Sequence, residues 1–353
     1  MAVTRVLVVE DSLTMRKYLV DVLASNPEFT VVGEARDGAQ AIELCRALRP
    51  DVVTLDIMLP VMSGVAVTEY IMAYCPTPIL IVSASTNRGE LYQTYEALSA
   101  GAVDVLEKPG INDTGSEWDR NFVSAVKMVS KIRVITHVRA KLGRWPQNLA
   151  PGAGLGTRSG VPRRKIVAIG GSTGGPAAVV DILRGLPSGF EIPILLVIHL
   201  GAPFGAAFTE WLDGQSGLRV RYARDREALP TFGQAGVIMA PPGLHLVVED
   251  GRLRLTSDAE RNSCRPSIDV LFESLAKQLG RETIACLLTG MGKDGARGLL
   301  ALRHAGAFTI AQDETSSVVF GMPREAIEIG AADRVVSLHE IAPAVAAAGA
   351  HRS

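Results

Sequence analysis

Short, continuously apolar, β-branched runs separated by helical patterns are what most constrain this chain. In the first third they are Arg5–Glu10, Thr30–Ala35, Val52–Asp56, Ile79–Ala84 and Val103–Leu106. A strand that is apolar without alternation is buried on both faces, which calls for a parallel sheet with helices on each side. Between the runs, apolar residues fall at helical spacing, as with Met15, Leu19, Val22 and Leu23. A longer charged helix is expected from Glu117 to about Lys141. The stretch Gly143 to Arg164, GRWPQNLAPGAGLGTRSGVPRR, has Gly, Pro and Ser but no periodicity, and reads as a linker. Beyond it the alternation resumes with Lys165–Ile169, Pro193–His199, Val237–Met239 and Thr283–Leu288. His245–Val248 and Arg252–Leu255, joined through Asp250-Gly251, form a hairpin with a type I′ turn signal. The expected class is therefore α/β throughout. An N-terminal unit spans 1–142, a linker 143–164, and a C-terminal doubly wound, mainly parallel unit with an antiparallel hairpin 165–349.

A chain of 353 residues can bury two cores. Its net charge of −1 gives no electrostatic case for nucleic acid or for an acidic membrane surface. The 4 cysteines (Cys45, Cys75, Cys264, Cys286) form no C-x-x-C pair, which suits a reducing cytosol better than a disulfide framework or a zinc site. The apolar run Val6–Val9 stops at Glu10 and Asp11, so it is not a secretory signal, and no apolar segment is long enough to span a bilayer. The expectation is a cytoplasmic protein without membrane insertion.

Functional groups of open α/β sheets gather at the carboxyl ends of the strands. In the N-terminal unit these ends carry Glu10 and Asp11, then Asp56, Ser83 and Lys108. A single acid there is ordinarily solvated; five such groups in order are harder to obtain by chance. Clustered carboxylates repel unless a cation sits among them, and a hard oxygen-seeking ion such as Mg²⁺ fits. Asp56 would then attack phosphorus, while Lys108 and Ser83 would contact the new phosphate.

In the C-terminal unit Lys165–Ile169 runs into Gly170-Gly171-Ser172-Thr173-Gly174-Gly175-Pro176 and a helical pattern. The string fits the G-x-S-x-G nucleophile elbow. Alone it is weak: the same glycines can cradle a phosphate, and Ser172 can simply cap the helix. The discriminating feature is a base and an acid at neighbouring strand ends. His199 closes one apolar strand, and Asp294 follows another within Thr289-Gly290-Met291-Gly292-Lys293-Asp294-Gly295. Ser172, His199 and Asp294 are thus candidates for nucleophile, base and orienter. His245, which begins the hairpin, is the second choice for the base. The rival function is a nucleotide-binding signalling adaptor in which Gly170–Gly175 hold a phosphate.

Longer stretches carry resemblances. VVEDS, TLDIMLPVMSG, IVSAS and EKP resemble response-regulator receiver domains over residues 3 to 130. That likeness implies a flavodoxin-like receiver phosphorylated on Asp56 by a histidine kinase, with Mg²⁺ held by Glu10, Asp11, Asp56 and the Met58 carbonyl. Ser63 replaces a usual Asp, and Val105 stands where many receivers carry an aromatic switch residue. IGGSTGGP, CRPSIDVLF, LLTGMGKDGARGLLALRHAGAFTIAQDE and SSVVFGMPREAIEIGAAD resemble the catalytic domain of the chemotaxis protein-glutamate methylesterase family over residues 164 to 345. The likeness implies a Ser172–His199–Asp294 triad, with Thr173 beside the nucleophile and the Met291 backbone near the oxyanion. It implies an esterase, needing no cofactor, that demethylates chemoreceptor glutamates and deamidates glutamines under control of the receiver.

Overall fold

Fourteen strands and eleven α-helices alternate along the described residues of the computed structural model, which are 3–84, 87–110, 116–132, 134, 164–200 and 202–350. The N-terminal strands are β1 (Thr4–Val9), β2 (Phe29–Ala35), β3 (Val52–Leu55), β4 (Ile79–Ser83) and β5 (Asp104–Glu107). They form one parallel sheet in the order β2-β1-β3-β4-β5. This is the flavodoxin-type order, whose reversal between β1 and β3 opens a crevice at their carboxyl ends. The helices between and after them are α1 (Leu13–Ala24), α2 (Gly38–Leu48), α3 (Gly64–Tyr74), α4 (Arg88–Ser99) and α5 (Ser116–Val129). Ser12, Asp37, Ser63 and Asn87 cap the first four, each side chain accepting a backbone N–H inside the first turn. Such caps are worth roughly 0.5–2 kcal/mol each. Ser63 therefore starts α3 although it replaces a more usual acid.

The second sheet comprises β6 (Ile166–Gly171), β7 (Ile194–Ile198), β8 (Val220–Tyr222), β9 (Val237–Met239), β12 (Thr283–Leu287), β13 (Phe308–Gln312) and β14 (Arg334–Val336). Its order is β14-β13-β12-β6-β7-β9-β8, and every pairing is parallel. Strands are added first on one side of β6 and then on the other, so the order reverses between β6 and β12. The hairpin β10 (His245–Glu249) and β11 (Arg252–Thr256) is a separate two-stranded sheet. Its turn residues Asp250 and Gly251 have φ of 48° and 69°, the pair of left-handed values a type I′ turn requires. The helices of this half are α6 (Gly175–Gly185), α7 (Ala202–Gln215), α8 (Ile268–Gln278), α9 (Ala296–His304), α10 (Met322–Glu328) and α11 (Leu338–Gly349).

Two expectations change. The helix expected to reach Lys141 ends at Val129, where Ser130 Oγ turns back to the Lys127 carbonyl at 3.1 Å and offers the backbone an alternative to the helical ladder. Residues 135–163, which hold nearly all of the expected linker, lie outside the described residues. The C-terminal sheet also contains three strands beyond the four apolar runs, β8, β13 and β14. β8 and β14 are three-residue edge strands without a continuous apolar run.

The two halves pack on one another. Tyr95 of α4 is fully buried, its ring 5.3 Å from those of both Phe208 and Trp211 on α7. Its hydroxyl donates to the Phe204 carbonyl. One apolar cluster runs from Leu55 and Ile81 through Tyr95 and Phe208 to Ile169 and Leu196, so the interface is continuous with both cores.

Candidate active site

Ser172 follows the last residue of β6, and register places it at the switch point of the second sheet. Gly171 pairs with Ile198, and the His199 amide donates to the Gly171 carbonyl at 3.1 Å, so Ser172 and His199 leave adjacent strands side by side. On the other flank the Ser172 amide donates to the Thr289 carbonyl at 3.0 Å. The loop after β12 passes so close that a Cβ at Gly290 would lie 2.7 Å from Ser172 Cβ. Only glycine fits there. Gly174, with φ 76°, is the N-cap of α6, and no side chain caps that helix. Ser172 is thus not a capping residue. The Ser172 amide and the Gly175 amide, which bonds the Ser172 carbonyl at 2.6 Å, are also both used internally. That leaves a poorer phosphate cradle than the glycine string suggested.

His199 and Asp294 meet directly, Nε2 to Oδ2, at 3.0 Å. Asp294, in the loop between β12 and α9, is buried against the start of α8, where it accepts from Ser267 Oγ (2.7 Å), Asn262 Nδ2 (2.9 Å) and the Ile268 amide (2.7 Å). Burial alone would raise its pKa, but the bonds from His199, Asn262 and Ser267 outweigh it and hold the carboxyl below its ordinary range. Burial likewise disfavours the His199 imidazolium, yet Asp294 and Cys264 prevail and push the ring up to about 9. Nδ1 faces Cys264 Sγ at 3.7 Å. Among the described residues Ser172 Oγ makes no hydrogen bond to His199. His245 is committed elsewhere: its Nδ1 accepts from the Ser267 amide at 3.1 Å and its Nε2 faces the Ala259 carbonyl. It supports Ser267 rather than facing the crest.

Thr173 is buried, and its hydroxyl donates at 3.0 Å to Asp104, an acid of β5 in the other half. Asp104 is partly buried, and desolvation raises its carboxyl pKa against the bonds from the Val105 amide and Thr173. Met291 is an exposed side chain on the Gly290–Gly292 loop, which Gly321 approaches closely. Thr289 ties this crest together, its Oγ1 bonding the Thr173 carbonyl (3.0 Å) and the Val319 amide (2.9 Å). Sequence reasoning missed Asn262, Ser267, Thr289 and Asp104. Ser267 lies within the CRPSIDVLF run and Asn262 just before it, and that run was the available signal.

The first sheet carries a second cluster. Lys108 Nζ donates to Asp56 Oδ2 at 2.8 Å and to Glu10 Oε1 at 3.1 Å. Glu10, Asp11 and Asp56 each offer an oxygen within 4.8 Å of the others. Glu10 is buried, and its Oε2 accepts no hydrogen bond although Lys108 Nζ lies 2.8 Å away. Burial first, then Asp56, raises its pKa to about 7 against the pull of Lys108. A buried acid beside two more carboxylates is the donor set of a hard divalent cation. Half-exposed Met58 follows, its amide on Asp56 Oδ1 at 3.3 Å. The Ser83 hydroxyl donates to Glu90 Oε1 at 2.7 Å.

A flavodoxin-order sheet with an acid cluster at its switch point, packed on an α/β domain that gathers Ser, His and Asp at one crest, defines a response regulator with an enzyme-like output domain. Residues 6–114 match the response regulator receiver domain and residues 167–345 match CheB methylesterase. A protein-glutamate methylesterase/protein-glutamine glutaminase of Nitrosospira multiformis is 44% identical over 96% of this chain and 95% of its own length. A counterpart in Anaeromyxobacter dehalogenans is 42% identical over 96% and 94%, and one in Geobacter metallireducens 42% over 94% and 97%. The chain belongs to the CheB methylesterase family.

Proposed function

We propose that this protein hydrolyses glutamate γ-methyl esters on methyl-accepting chemoreceptors, and deamidates receptor glutamines, at a Ser172–His199–Asp294 triad governed by phosphorylation of Asp56. The observation that carries this reading is the His199–Asp294 pair beside Ser172 at one switch point. The receiver would span 1–142, the linker 143–164 and the catalytic domain 165–349 of this cytoplasmic enzyme.

Ser172 Oγ attacks the ester carbonyl while His199 takes its proton, Nδ1 leaving Cys264 for Ser172 and Nε2 staying on Asp294. Catalytic hydrogen bonds are often long before substrate binds. The Ser172 amide is committed to Thr289. The Thr173 and Met291 amides are therefore the candidate oxyanion donors, each worth about 3–4 kcal/mol in such sites. Collapse of the tetrahedral species expels methanol with the proton from His199. Water then attacks the acyl-Ser172 ester through the same base and regenerates the free hydroxyl. With a glutamine the same steps expel ammonia. The esterase reaction calls on no cofactor.

In the receiver, Asp56 is the phosphoacceptor for a histidine kinase. Glu10, Asp11, Asp56 and the Met58 carbonyl would hold Mg²⁺, which offsets the charge of an incoming phosphoryl group. Glu10, buried and within 4.8 Å of the oxygens of Asp11 and Asp56, suits that role. Lys108 is placed to release its bond to Asp56 and pair with the phosphate. Ser83 would have to turn from Glu90 to reach it, moving the start of α4, the helix that carries Tyr95.

The test is methanol release from methylated receptor membranes. Ser172→Ala should abolish it with the fold intact by circular dichroism; undiminished release would remove Ser172 from the mechanism.

A further inference from the structure

Cys264 brings a soft ligand to His199. Its Sγ lies 3.7 Å from Nδ1, while Nε2 is 3.0 Å from Asp294 Oδ2. One ligand atom from each of the three residues falls within 4.8 Å of the other two. Bond lengths near 2.0 Å to nitrogen and oxygen and 2.3 Å to sulfur put ligand atoms roughly 3.3–3.8 Å apart around a tetrahedral zinc ion. One ion takes one ring nitrogen, so for a site on Nε2, which Asp294 already faces, the Cys264 thiolate has to swing across from Nδ1 by about an ångström, from within 4.8 Å of the other ligand atoms. Cys264 has that freedom, since it is partly exposed at the end of the short Arg261–Cys264 loop. Asp294 is already oriented by Ser267 and Asn262, the kind of outer support that metal-binding carboxylates have.

We propose that Cys264, His199 and Asp294 form a binding site for a thiophilic divalent cation of the zinc type, and that its occupation switches the esterase off. Thiolate, imidazole and carboxylate together favour such an ion over Mg²⁺ or Ca²⁺, which take oxygen. The all-oxygen cluster Glu10–Asp11–Asp56 has the opposite preference, so the two clusters sort hard from soft cations. Binding displaces the thiol proton and any proton on the coordinating nitrogen, leaving the fourth position to water. The inhibitory consequence rests on His199 being the base, because a coordinated imidazole cannot take the Ser172 proton.

The experiment titrates the reduced full-length protein with Co²⁺ as a spectroscopic substitute, and separately measures methanol release against Zn²⁺. Wild type should develop thiolate-to-cobalt charge-transfer absorption that Zn²⁺ abolishes by displacing the cobalt, and should lose methanol release in the same Zn²⁺ range. Cys264→Ser keeps Cys45, Cys75 and Cys286, so the difference between the titrations reports Cys264. It should lose that absorption and need about tenfold or more Zn²⁺ for the same fractional inhibition of its own metal-free rate. Cys264→Ala should behave alike. Identical cobalt spectra and zinc sensitivity in wild type and both variants would overturn the site. Cys264-dependent absorption with methanol release untouched would leave the site standing and remove His199 from the role of base.

Discussion

His199 sets the pH behaviour. Its folded pKa of about 9 lies above the ordinary 6.5, so the folded protein holds this proton more tightly than the unfolded chain. The stability its pairing with Asp294 contributes is therefore complete below about pH 6.5 and lost as pH rises through about 9. Asp294 runs the other way: its contribution is present above 3.8 and is lost as pH falls through its depressed folded value. A general base must be neutral, so we expect kcat/KM for methanol release to climb through the alkaline range toward pH 9. An inflection at or below 6.5 would contradict the pairing. Asp294→Asn should lower the imidazole titration seen by NMR and cost on the order of 10³–10⁴ in rate by releasing the tautomer. Ser172, His199 and Asp294 were legible because each follows an apolar strand at the rim where α/β sheets carry their sites. Ser267 and Asn262 were not, since they come from 27 and 32 residues earlier in the chain and no period links them to Asp294.

At the scale of elements, the nucleophile turn depends on how closely the loops after β6 and β12 approach. A Cβ at Gly290 would meet Ser172 Cβ and Met322 Sδ, each at 2.7 Å. Gly290→Ala should therefore cost about 1–3 kcal/mol in thermal or denaturant unfolding and lower methanol release by more than its effect on folding explains. Gly214→Ala on α7, where an added Cβ meets nothing within 4 Å, is the matched control. Wild-type rates in Gly290→Ala would show that the approach is not needed. The strands read from sequence were those whose burial demanded unbroken apolar runs, such as VVTL of β3 and ILLVI of β7. β14, with two exposed residues of three, left no such trace, and its pairing with β13 is a tertiary event. α5 was overextended because charge and apolar spacing continued past the point where Ser130 breaks the ladder.

At the scale of the molecule, the receiver and the catalytic half are one packed body around Tyr95, Phe208 and Trp211, and the Thr173–Asp104 bond brings that interface to the residue after Ser172. Sequence patterns describe each half but carry no sign of this contact. Val105, where an aromatic switch was absent, packs against the shared cluster that also contains Tyr95. Phosphorylation of Asp56 would act by weakening this packing and shifting a docked–undocked equilibrium. Truncating a buried aromatic costs about 3–5 kcal/mol, and in Tyr95→Ala that cost falls on the docked form. The most direct test is the rate of methanol release from methylated receptor membranes, with and without a small-molecule phosphodonor, in wild type, Tyr95→Ala and Tyr95→Ala with Ser172→Ala. We expect the donor to raise the wild-type rate, Tyr95→Ala to be fast without it, and the double variant to be silent in both conditions. A folded Tyr95→Ala no faster than unphosphorylated wild type, or a double variant that still releases methanol, would contradict the account.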